Sequence, residues 1–367
     1  MQDRFHYAGE EEQVTPSLVY LEDVLRRNTQ KTIDMAGGAE RLWPHVKSHK
    51  TSALIRMQLA MGIRRFKCAT LAEAKMVAAC GASELLLAYP LVGANIPRYV
   101  ALASQYPETT FYALEDDLGQ AEKLNALCLS QGVTFKVFID VNTGLDRTGI
   151  PMEQIAAFTR ALKKSKALAV VGLHCYDGHI HQTELSAREQ AVNAYRAKVD
   201  EQLAILAAEG IELPLRIMGG SPTFPLHAKH PGDYLSPGTT FLWDWGYLNS
   251  FPDLDFEPAA AVAARVVSHP APGVFTLDLG YKAIAADPAG ERGHLTGMPG
   301  AEPLFQNEEH WVWRMKDAKE PCPPVGAILH VIPTHICPTS ALYDHIILVK
   351  EHGTELIEVT GRSRIVV

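Results

Sequence analysis

The sequence predicts an α/β protein, in which a (β/α)8 TIM-type barrel is followed by a second, C-terminal β-rich domain. Three observations support this fold class. Between residues 40 and 240, apolar strand-like segments alternate with amphipathic helix-like segments, and the strand-like segments number eight. After about residue 250, short β-rich segments follow one another without helices between them. Alternating strands and helices favour a parallel sheet with right-handed crossovers, and eight strands suit a closed barrel better than an open sheet.

The strand segments of the predicted barrel are short, apolar and bounded by polar turns. They are 42–47, 64–68, 84–88, 109–114, 134–141, 168–174, 215–218 and 234–235. Helices are predicted where apolar residues recur at helical spacing, as in 51–61, 71–79, 117–130 and 183–209. No GxGxxG pattern follows the first strand, which argues against a dinucleotide-binding sheet. We place this barrel domain at residues 23–250.

The second domain is predicted for residues 251–367, together with the N-terminal segment 1–22. Gly- and Pro-containing turns separate its strand segments. These segments are 261–268, 274–279, 310–315, 327–332, 345–350 and 356–360. The early segment 17–21 is expected to pair with this domain. The Gly- and Pro-rich stretch 287–303 is expected to form a long loop.

Length and composition are those of an ordinary soluble globular protein. The 367 residues are 47% hydrophobic and 21% charged, with a formal net charge of −8. This acidic balance argues against nucleic acid or an anionic membrane as the main partner. No apolar segment approaches the ~20 residues of a membrane span, and the N-terminus lacks the pattern of a signal peptide. We therefore expect a cytoplasmic protein whose six cysteines are reduced.

Lys47 is the first candidate for chemistry. It ends the short apolar segment that predicts the first barrel strand. A lysine at the C-terminal end of a buried strand is unfavourable unless it is neutral, paired or covalently used. Schiff-base chemistry needs such an amine. The alternative is a strand-end lysine that reaches solvent.

Further polar residues follow the barrel strands at the ends that form the active face of this fold. They are Asp140, Asn142, Thr143, Gly144 and Arg147 after the fifth strand, His174, Tyr176, Asp177, Gly178 and His179 after the sixth, 219–223 after the seventh and 236–240 after the eighth. Each segment alone is also compatible with an ordinary turn. The glycines and hydroxyls of 219–223 and 238–239 suit a phosphate. Phosphate, a reactive lysine and an arginine together indicate pyridoxal 5′-phosphate.

A second pattern, His335-Ile336-Cys337, follows the strand segment 327–332. Residues two apart at a strand end point to the same face, so both side chains are expected in one ligand sphere. Imidazole and thiolate suit zinc. The alternative is a buried cysteine beside a turn histidine.

The segment 43–50 resembles the lysine motif of the D-serine dehydratase and D-threonine aldolase family. These are fold-type III pyridoxal phosphate enzymes with an alanine racemase-like barrel. Segments 69–74, 142–149, 176–179, 219–223 and 277–283 are similar too. The motifs occur in the family's order, from about residue 15 to the C-terminus.

The resemblance implies roles for individual residues. Lys47 would be the Schiff-base lysine, with Lys50 on the following helix. Arg147 would lie near the phenolic oxygen of the cofactor and Tyr176 near its ring. The phosphate would be held by Gly220, Ser221, Thr223, Gly238 and Thr239. The family usually has Arg where Trp43 stands, a departure expected to alter access to Lys47, and Thr where Ser48 stands.

The resemblance also implies a metal at His335 and Cys337. Family dehydratases resemble this His-x-Cys pattern and use zinc, whereas the aldolases typically have a carboxylate there and use manganese or a similar ion. We therefore expect a homodimeric, PLP- and zinc-dependent lyase, with manganese or another divalent ion as the alternative metal. It would dehydrate small D-3-hydroxyamino acids, such as D-serine, D-threonine or D-3-hydroxyaspartate, to a 2-oxo acid and ammonia. Aldolase, racemase and non-catalytic cofactor carrier are the alternatives.

Overall fold

The computed structural model describes residues 3–317 and 319–363. Within these residues the strands are β1 (Ser17–Leu21), β2 (Arg65–Cys68), β3 (Glu84–Leu87), β4 (Thr110–Glu115), β5 (Phe135–Asn142), β6 (Ile150–Pro151), β7 (Leu168–Cys175), β8 (Leu215–Met218), β9 (Asp233–Leu235), β10 (Ala260–Ala271), β11 (Val274–Leu277), β12 (Gly293–Leu295), β13 (Ala301–Gln306), β14 (Trp311–Met315), β15 (Ile328–Pro333), β16 (His345–Lys350) and β17 (Gly353–Glu358). The helices are α1 (Glu22–Ala36), α2 (Ser52–Ala60), α3 (Leu71–Ala79), α4 (Asn95–Gln105), α5 (Leu118–Gln131), α6 (Ile155–Leu162), α7 (Leu185–Ala208), α8 (Phe224–Ala228), α9 (Trp245–Ser250) and α10 (Ile336–Ala341).

The chain divides into two units. The barrel unit comprises Thr32–Lys47, Ser52–Gly238 and the residues from Thr360 onward. The β unit comprises the residues up to Lys31, Ser48–Thr51 and Thr239–Val359. The domain boundaries predicted from the sequence stay predictions.

Seven parallel strands of the barrel unit are hydrogen-bonded in the order β2-β3-β4-β5-β7-β8-β9. The segment 42–45 pairs with both edges of this sheet, since Leu42 bridges to Leu235 of β9 and His45 bridges to Lys67 of β2. Both pairings are parallel. An eighth segment thus joins the two edge strands, and the predicted fold class is confirmed.

The first predicted strand, 42–47, is wrong in its second half. Pro44 lies between the two bridged residues and has no N–H to donate, so the segment forms isolated bridges instead of a ladder. The chain then enters a 3-10 turn at Val46–Ser48. Lys47 therefore lies in this turn and does not end a strand.

Trp43 belongs to the core of the barrel unit. Its side chain is fully buried and packs with Leu86, Tyr112, Phe138 and Ile217, which come from four different strands. The Trp43 ring meets the Tyr112 ring nearly edge-on at a centroid distance of 5.4 Å. A residue with these neighbours fills the barrel interior, so the expectation that Trp43 alters access to Lys47 has no support in the packing.

The start of α3 shows how sequence sets a helix boundary in this unit. The Thr70 hydroxyl accepts a hydrogen bond from the backbone N–H of Glu73 at 3.1 Å. The Glu73 carboxylate in turn accepts one from the N–H of Ala69 at 2.6 Å. Such reciprocal bonds satisfy donors that a helix start otherwise leaves unpaired. The helix therefore begins at Leu71, as predicted.

The β unit holds a largely antiparallel sheet with the order β13-β14-β11-β10-β1-β16-β17, to which β15 and β12 are added. The strand β1 pairs with β10 and β16, as expected for the segment 17–21. The expected loop 287–303 is wrong in part, because it contains β12 and the start of β13. A helix, α10, follows β15 where none was predicted, since six residues are too few to show a helical period.

None of the helices within the described residues has the length and apolarity that crossing a membrane requires.

Candidate active site

Three cationic side chains of the barrel unit surround the ring of Tyr176, which follows β7. The Nζ of Lys47 lies 5.7 Å from the ring centroid, the Nζ of Lys67 5.5 Å and the guanidinium carbon of Arg147 5.0 Å. The face of an aromatic ring attracts cations. The three predicted catalytic residues Lys47, Arg147 and Tyr176 thus meet in one place, joined by Lys67. Such a concentration of positive charge suits an anionic ligand.

Lys67 was missed by the sequence reading. It lies on β2, is 2% exposed, and its Nζ is 3.2 Å from Nε2 of His174. Burial, reinforced by the charge of Lys47, lowers the pKa of Lys67 to about 7 despite the nearby Asp140 carboxylate. The signal was available, because a lysine inside the buried segment 64–68 is as unfavourable as the one that drew attention to Lys47.

His174 and Asp140 set the environment of the Lys67 amine. The Nδ1 of His174 lies 2.8 Å from Oδ1 of Asp140, so this nitrogen carries the hydrogen and Nε2 accepts from Lys67. The hydroxyl of Thr148 donates to the other Asp140 oxygen at 2.8 Å. Burial, followed by the charge of Lys67, lowers the pKa of His174. The arrangement holds Lys67 as a hydrogen-bonded amine that exchanges its proton close to neutral pH.

The loop after β5 positions Arg147. The Asn142 side chain accepts hydrogen bonds from the backbone N–H groups of Gly144 at 3.0 Å and Asp146 at 3.1 Å. The Thr143 hydroxyl donates to the carbonyl of Tyr176 at 2.7 Å. Asn142 and Thr143 therefore shape the loop and tie it to the neighbouring strand end.

The loop after β8 passes close to the ring of Tyr176 at Gly220. A Cβ on Gly220 would lie 3.1 Å from the ring atom Cε2 of Tyr176. The N–H of Gly220 donates to the Thr223 hydroxyl at 3.0 Å, which donates to Asp177 at 2.7 Å. Thr223 thus holds the loop in place on the buried Asp177 carboxylate.

The loops after β8 and β9 are tied together, since the Gly238 N–H donates to the Ser221 hydroxyl at 3.0 Å. In the barrel unit, Gly220 therefore bonds to Thr223 within one loop, and Ser221 of that loop bonds to Gly238 of the next. Thr239 belongs to the β unit, where its hydroxyl lies 3.5 Å from the sulfur of Cys337. The phosphate contacts expected of these residues stay predictions.

A buried network supports Asp177. Its Oδ2 lies 2.9 Å from Nε2 of His227 and accepts from the Tyr195 hydroxyl at 3.1 Å. Burial raises the pKa of Asp177, but the hydrogen bond and charge of His227, together with the other donors, outweigh it and the net shift is downward. Asp177 is therefore a structural anion beneath the loop after β8.

The remaining histidines near Lys47 have local tasks. His45 Nδ1 accepts from the N–H of Lys47 at 3.3 Å. His49 Nδ1 accepts from the N–H of Thr51 at 3.2 Å, and burial lowers the pKa of His49 to about 3. Lys50 has a positive φ of 55° and precedes α2. Its expected place on that helix is wrong.

In the loops near Tyr176, His179 approaches the backbone of Gly144, where an added Cβ would lie 3.1 Å from its Nε2. Burial, followed by the charge of His179, lowers the pKa of His181.

In the β unit, His335 and Cys337 lie at the start of α10, with His335 as its N-cap. The predicted strand-end geometry is therefore wrong, but the helix start still brings the pair together. Burial lowers the pKa of His335, but hydrogen bonds and charge from Cys337 and Asp287 outweigh it and raise the pKa to about 9. The Cys337 sulfur lies 3.2 Å from the Ser48 hydroxyl. Ser48 directly follows Lys47 in the chain.

Two aspartates that the sequence reading did not select surround this pair. Asp287 Oδ2 lies 2.5 Å from Nδ1 of His335. Asp244 accepts from the N–H groups of Ile336 at 3.1 Å and Tyr247 at 2.9 Å. A carboxylate behind the remote nitrogen of a histidine is the usual support of a metal-ligating imidazole. The imidazole of His335, supported by Asp287, and the thiol of Cys337 thus fit a divalent ion of the zinc type as two ligands.

Known proteins resemble this chain over nearly its whole length. A family model described as "Alanine racemase, N-terminal domain" matches residues 22–243, and one described as "Putative serine dehydratase domain" matches residues 259–349. A D-threonine aldolase of Arthrobacter sp is 27% identical over 88% of this chain and 85% of its own length. A D-threo-3-hydroxyaspartate dehydratase of Delftia sp. (strain HT23) is 25% identical over 90% and 92%.

Among solved structures, a D-threonine aldolase from Filomicrobium marinum superimposes with a TM-score of 0.87 at 26% identity. The match covers 96% of each chain. The two family matches, the relatives and this superposition all point to the same family. The chain therefore belongs to the alanine racemase-like, fold-type III pyridoxal 5′-phosphate enzymes, in the family of the D-serine dehydratases and D-threonine aldolases.

Proposed function

We propose that this protein is a pyridoxal 5′-phosphate- and zinc-dependent lyase that removes water from D-3-hydroxyamino acids and releases a 2-oxo acid and ammonia. The single observation that carries the choice of reaction is the pairing of a thiol, Cys337, with His335 at the start of α10. A thiolate selects zinc over harder cations such as manganese. Zinc is a Lewis acid that polarises a hydroxyl without itself supplying a proton.

The cation cluster supports the cofactor assignment. Lys47, Lys67 and Arg147 surround one aromatic ring, and the loop after β8 approaches the same ring through Gly220. These groups fit a planar, anionic cofactor that carries a phosphate and a phenolic oxygen. When bound, pyridoxal phosphate withdraws electrons from the substrate's α-carbon.

The residues of the chain then have separable tasks. We assign to Lys47 the amine that would hold the cofactor, and the removal of the Cα proton of the substrate at the same Nζ. Arg147 and Tyr176 orient the cofactor. Lys67 accepts a proton at Nζ as the neutral amine and returns it as the ammonium, with His174 holding it in place. His335 and Cys337 would hold a divalent metal ion, which would supply polarisation of the β-hydroxyl.

Cleavage of the Cα–Cβ bond is the second candidate, because the D-threonine aldolases of Arthrobacter sp and Filomicrobium marinum match most of this chain. An aldolase removes the proton of the β-hydroxyl and releases glycine and an aldehyde. The carboxylate of Asp287 beside His335 provides an oxygen donor of the kind that harder cations prefer.

Incubation of the purified enzyme with D-threonine separates these functions. Dehydration gives 2-oxobutanoate and ammonia, whereas aldol cleavage gives acetaldehyde and glycine. A change in optical rotation with neither ketoacid nor acetaldehyde would indicate a racemase, and L-threonine serves as the stereochemical control. We expect 2-oxobutanoate from D-threonine only. The homodimer and the cytoplasmic location stay predictions, of which light scattering on the purified protein tests the first.

A further inference from the structure

A cluster of titratable side chains in the β unit lies outside the residues assigned above. It joins the N-terminal segment to the strand β15 through Asp3, His6, Glu10 and His330. The His330 side chain is fully buried, whereas about half of the His6 side chain is exposed. One ligand atom from each of Asp3, His6 and His330 lies within 4.8 Å of the others.

One oxygen of Asp3 faces two imidazole nitrogens. Oδ2 lies 3.1 Å from Nδ1 of His330 and 3.3 Å from Nε2 of His6. The other oxygen, Oδ1, accepts the N–H of Phe5 at 3.0 Å, which fixes the orientation of the carboxylate. Donor atoms around a tetrahedral zinc ion are about 3.3 Å apart, given metal–ligand bonds of about 2.0–2.1 Å. These two separations therefore match two edges of such a coordination sphere.

The remote nitrogens of both imidazoles face a single carboxylate. Nδ1 of His6 lies 2.6 Å from Oε1 of Glu10, and Nε2 of His330 lies 3.6 Å from Oε2 of the same residue. This Nε2 and this Oε2 are buried without a hydrogen-bond partner. A carboxylate behind the remote nitrogen is the support that metal-ligating histidines use.

With both histidines neutral, the cluster places hydrogen-bond acceptors against one another, and an additional positive charge would stabilise it. Because Nδ1 of His6 carries the hydrogen toward Glu10, a neutral His6 presents a lone pair at Nε2 to the Asp3 carboxylate, and two acceptors then face each other. A neutral His330 has one hydrogen for its two nitrogens, so its other nitrogen presents a lone pair to the carboxylate of either Asp3 or Glu10. Extra protons on both rings would resolve it, and so would one divalent ion between Asp3, His6 and His330.

We propose that Asp3, His6 and His330 bind a divalent cation of the zinc, cobalt or nickel class, with Glu10 orienting both imidazoles. Two nitrogen donors and one carboxylate oxygen are typical of such ions, and a fourth position is left for water. The ion links the N-terminal segment to β15 and stabilises the folded β unit by mass action. This site is independent of the reaction proposed above, because it shares no ligand with His335 and Cys337.

Zinc binding to the full-length, cofactor-loaded protein tests the proposal. For this test the Cys337→Ala variant is used, so that the other candidate metal position lacks its thiol. We expect one equivalent of zinc by calorimetry and a rise in melting temperature of about 5 °C in excess zinc. Adding Asp3→Asn or His6→Asn, both tolerable at partly exposed positions, weakens zinc binding by at least about 10-fold. His352→Asn, at an exposed histidine of the same unit, leaves zinc binding unchanged.

Cobalt substitution adds a spectroscopic measurement. Cobalt bound by these residues shows the visible bands of a tetrahedral nitrogen and oxygen site without a thiolate charge-transfer band. The proposal is overturned if the Cys337→Ala protein binds no stoichiometric zinc, or if Asp3→Asn and His6→Asn bind it as before. A thiolate band in that protein also overturns it, because the ion then lies at another cysteine. If any of these results is found, protonated His6 and His330, paired with Asp3 and Glu10, would join the N-terminal segment to β15 without a metal ion.

Discussion

The two clusters that carry the proposed chemistry differ in the kind of side chain that builds them. In the barrel unit, Lys47, Lys67 and Arg147 surround the Tyr176 ring. In the β unit, His335 lies with Cys337 and Asp287, so that a thiol and a carboxylate face an imidazole. A cationic cluster stabilises an anionic ligand, whereas a thiol and carboxylate cluster stabilises a metal ion. The difference is consistent with the two proposed ligands, an anionic cofactor in the barrel unit and a metal ion in the β unit.

The clusters also differ in how the chain builds them. The barrel cluster collects side chains from the turn 46–48, from β2 and from the loops after β5 and β7, which are far apart in sequence. The pair His335 and Cys337 comes from one helix start. Variants in the barrel cluster should therefore affect the cofactor, variants in the β unit should affect the metal, and each class should leave the other ligand bound.

Replacing Lys47 by alanine should have the largest effect. Lys47→Ala removes the only amine proposed to bond to the cofactor, so activity should fall by roughly 10³-fold or more. Borohydride treatment of the native enzyme should leave the cofactor covalently attached to Lys47, as mass spectrometry of peptides can show. Lys50→Ala is the matched control and should retain the attachment. Attachment at Lys50 instead would reverse the assignment.

Removing the thiol of the β unit should have the next largest effect. Cys337→Ala, or chelation by EDTA, should lower dehydration by roughly 100-fold while the visible absorbance of the bound cofactor persists. Cys337→Asp should shift the metal preference from zinc toward manganese. Cys322→Ala, in the same unit, is the control for loss of a cysteine. Dehydration at full rate after chelation would assign expulsion of the hydroxyl to another acid.

A smaller effect is expected at Lys67, which distinguishes it from Lys47. With a pKa lowered to about 7 by burial and by Lys47, the amine loses its proton as the pH rises through 7. Activity should therefore rise over this range in the native enzyme. Lys67→Met should lose roughly 10-fold in kcat and this rising limb together. Lys67→Arg keeps the charge and should not restore the limb. If the activity of Lys67→Met still rises with pH through 7 as in the native enzyme, the titrating group is not Lys67.

The smallest effect concerns stability at Glu115, a buried carboxyl at the end of β4. Burial, followed by the charges of Asp116 and Asp117, raises the pKa of Glu115 to about 8. A group with a raised folded pKa contributes stability that is present at low pH and lost as the pH rises through about 8. Glu115→Gln should therefore match the native protein at pH 5 and exceed its unfolding free energy by about 2–4 kcal/mol at pH 9.

Urea unfolding at the two pH values measures this difference, with the exposed Glu122→Gln as control. Equal stability of Glu115→Gln and the native protein at pH 9 would mean that Glu115 ionises without penalty.

Most of the barrel was predictable because its signals are local. The strand β8 has the predicted bounds, and the helix α3 begins at the predicted residue, since periodicity and capping act within a few residues. The prediction failed where one residue outweighs a pattern. Pro44 cannot donate a ladder hydrogen bond, so an apolar segment that resembles a strand forms only two bridges. The six residues of α10 are too few to show a helical period.

The sequence by itself determined the alternation of strands and helices, the glycines of the loop after β8 and the identity of Lys47, Arg147 and Tyr176 as one group. These follow from local pattern, turn chemistry and motif order. Only the tertiary structure decided that Lys67 joins that group, that Asp287 stands behind His335, and that Trp43 fills the barrel interior. Closing the sheet into a ring brings together side chains that are distant in sequence, and burial then sets their charge. Neither distance nor burial is encoded in any single segment.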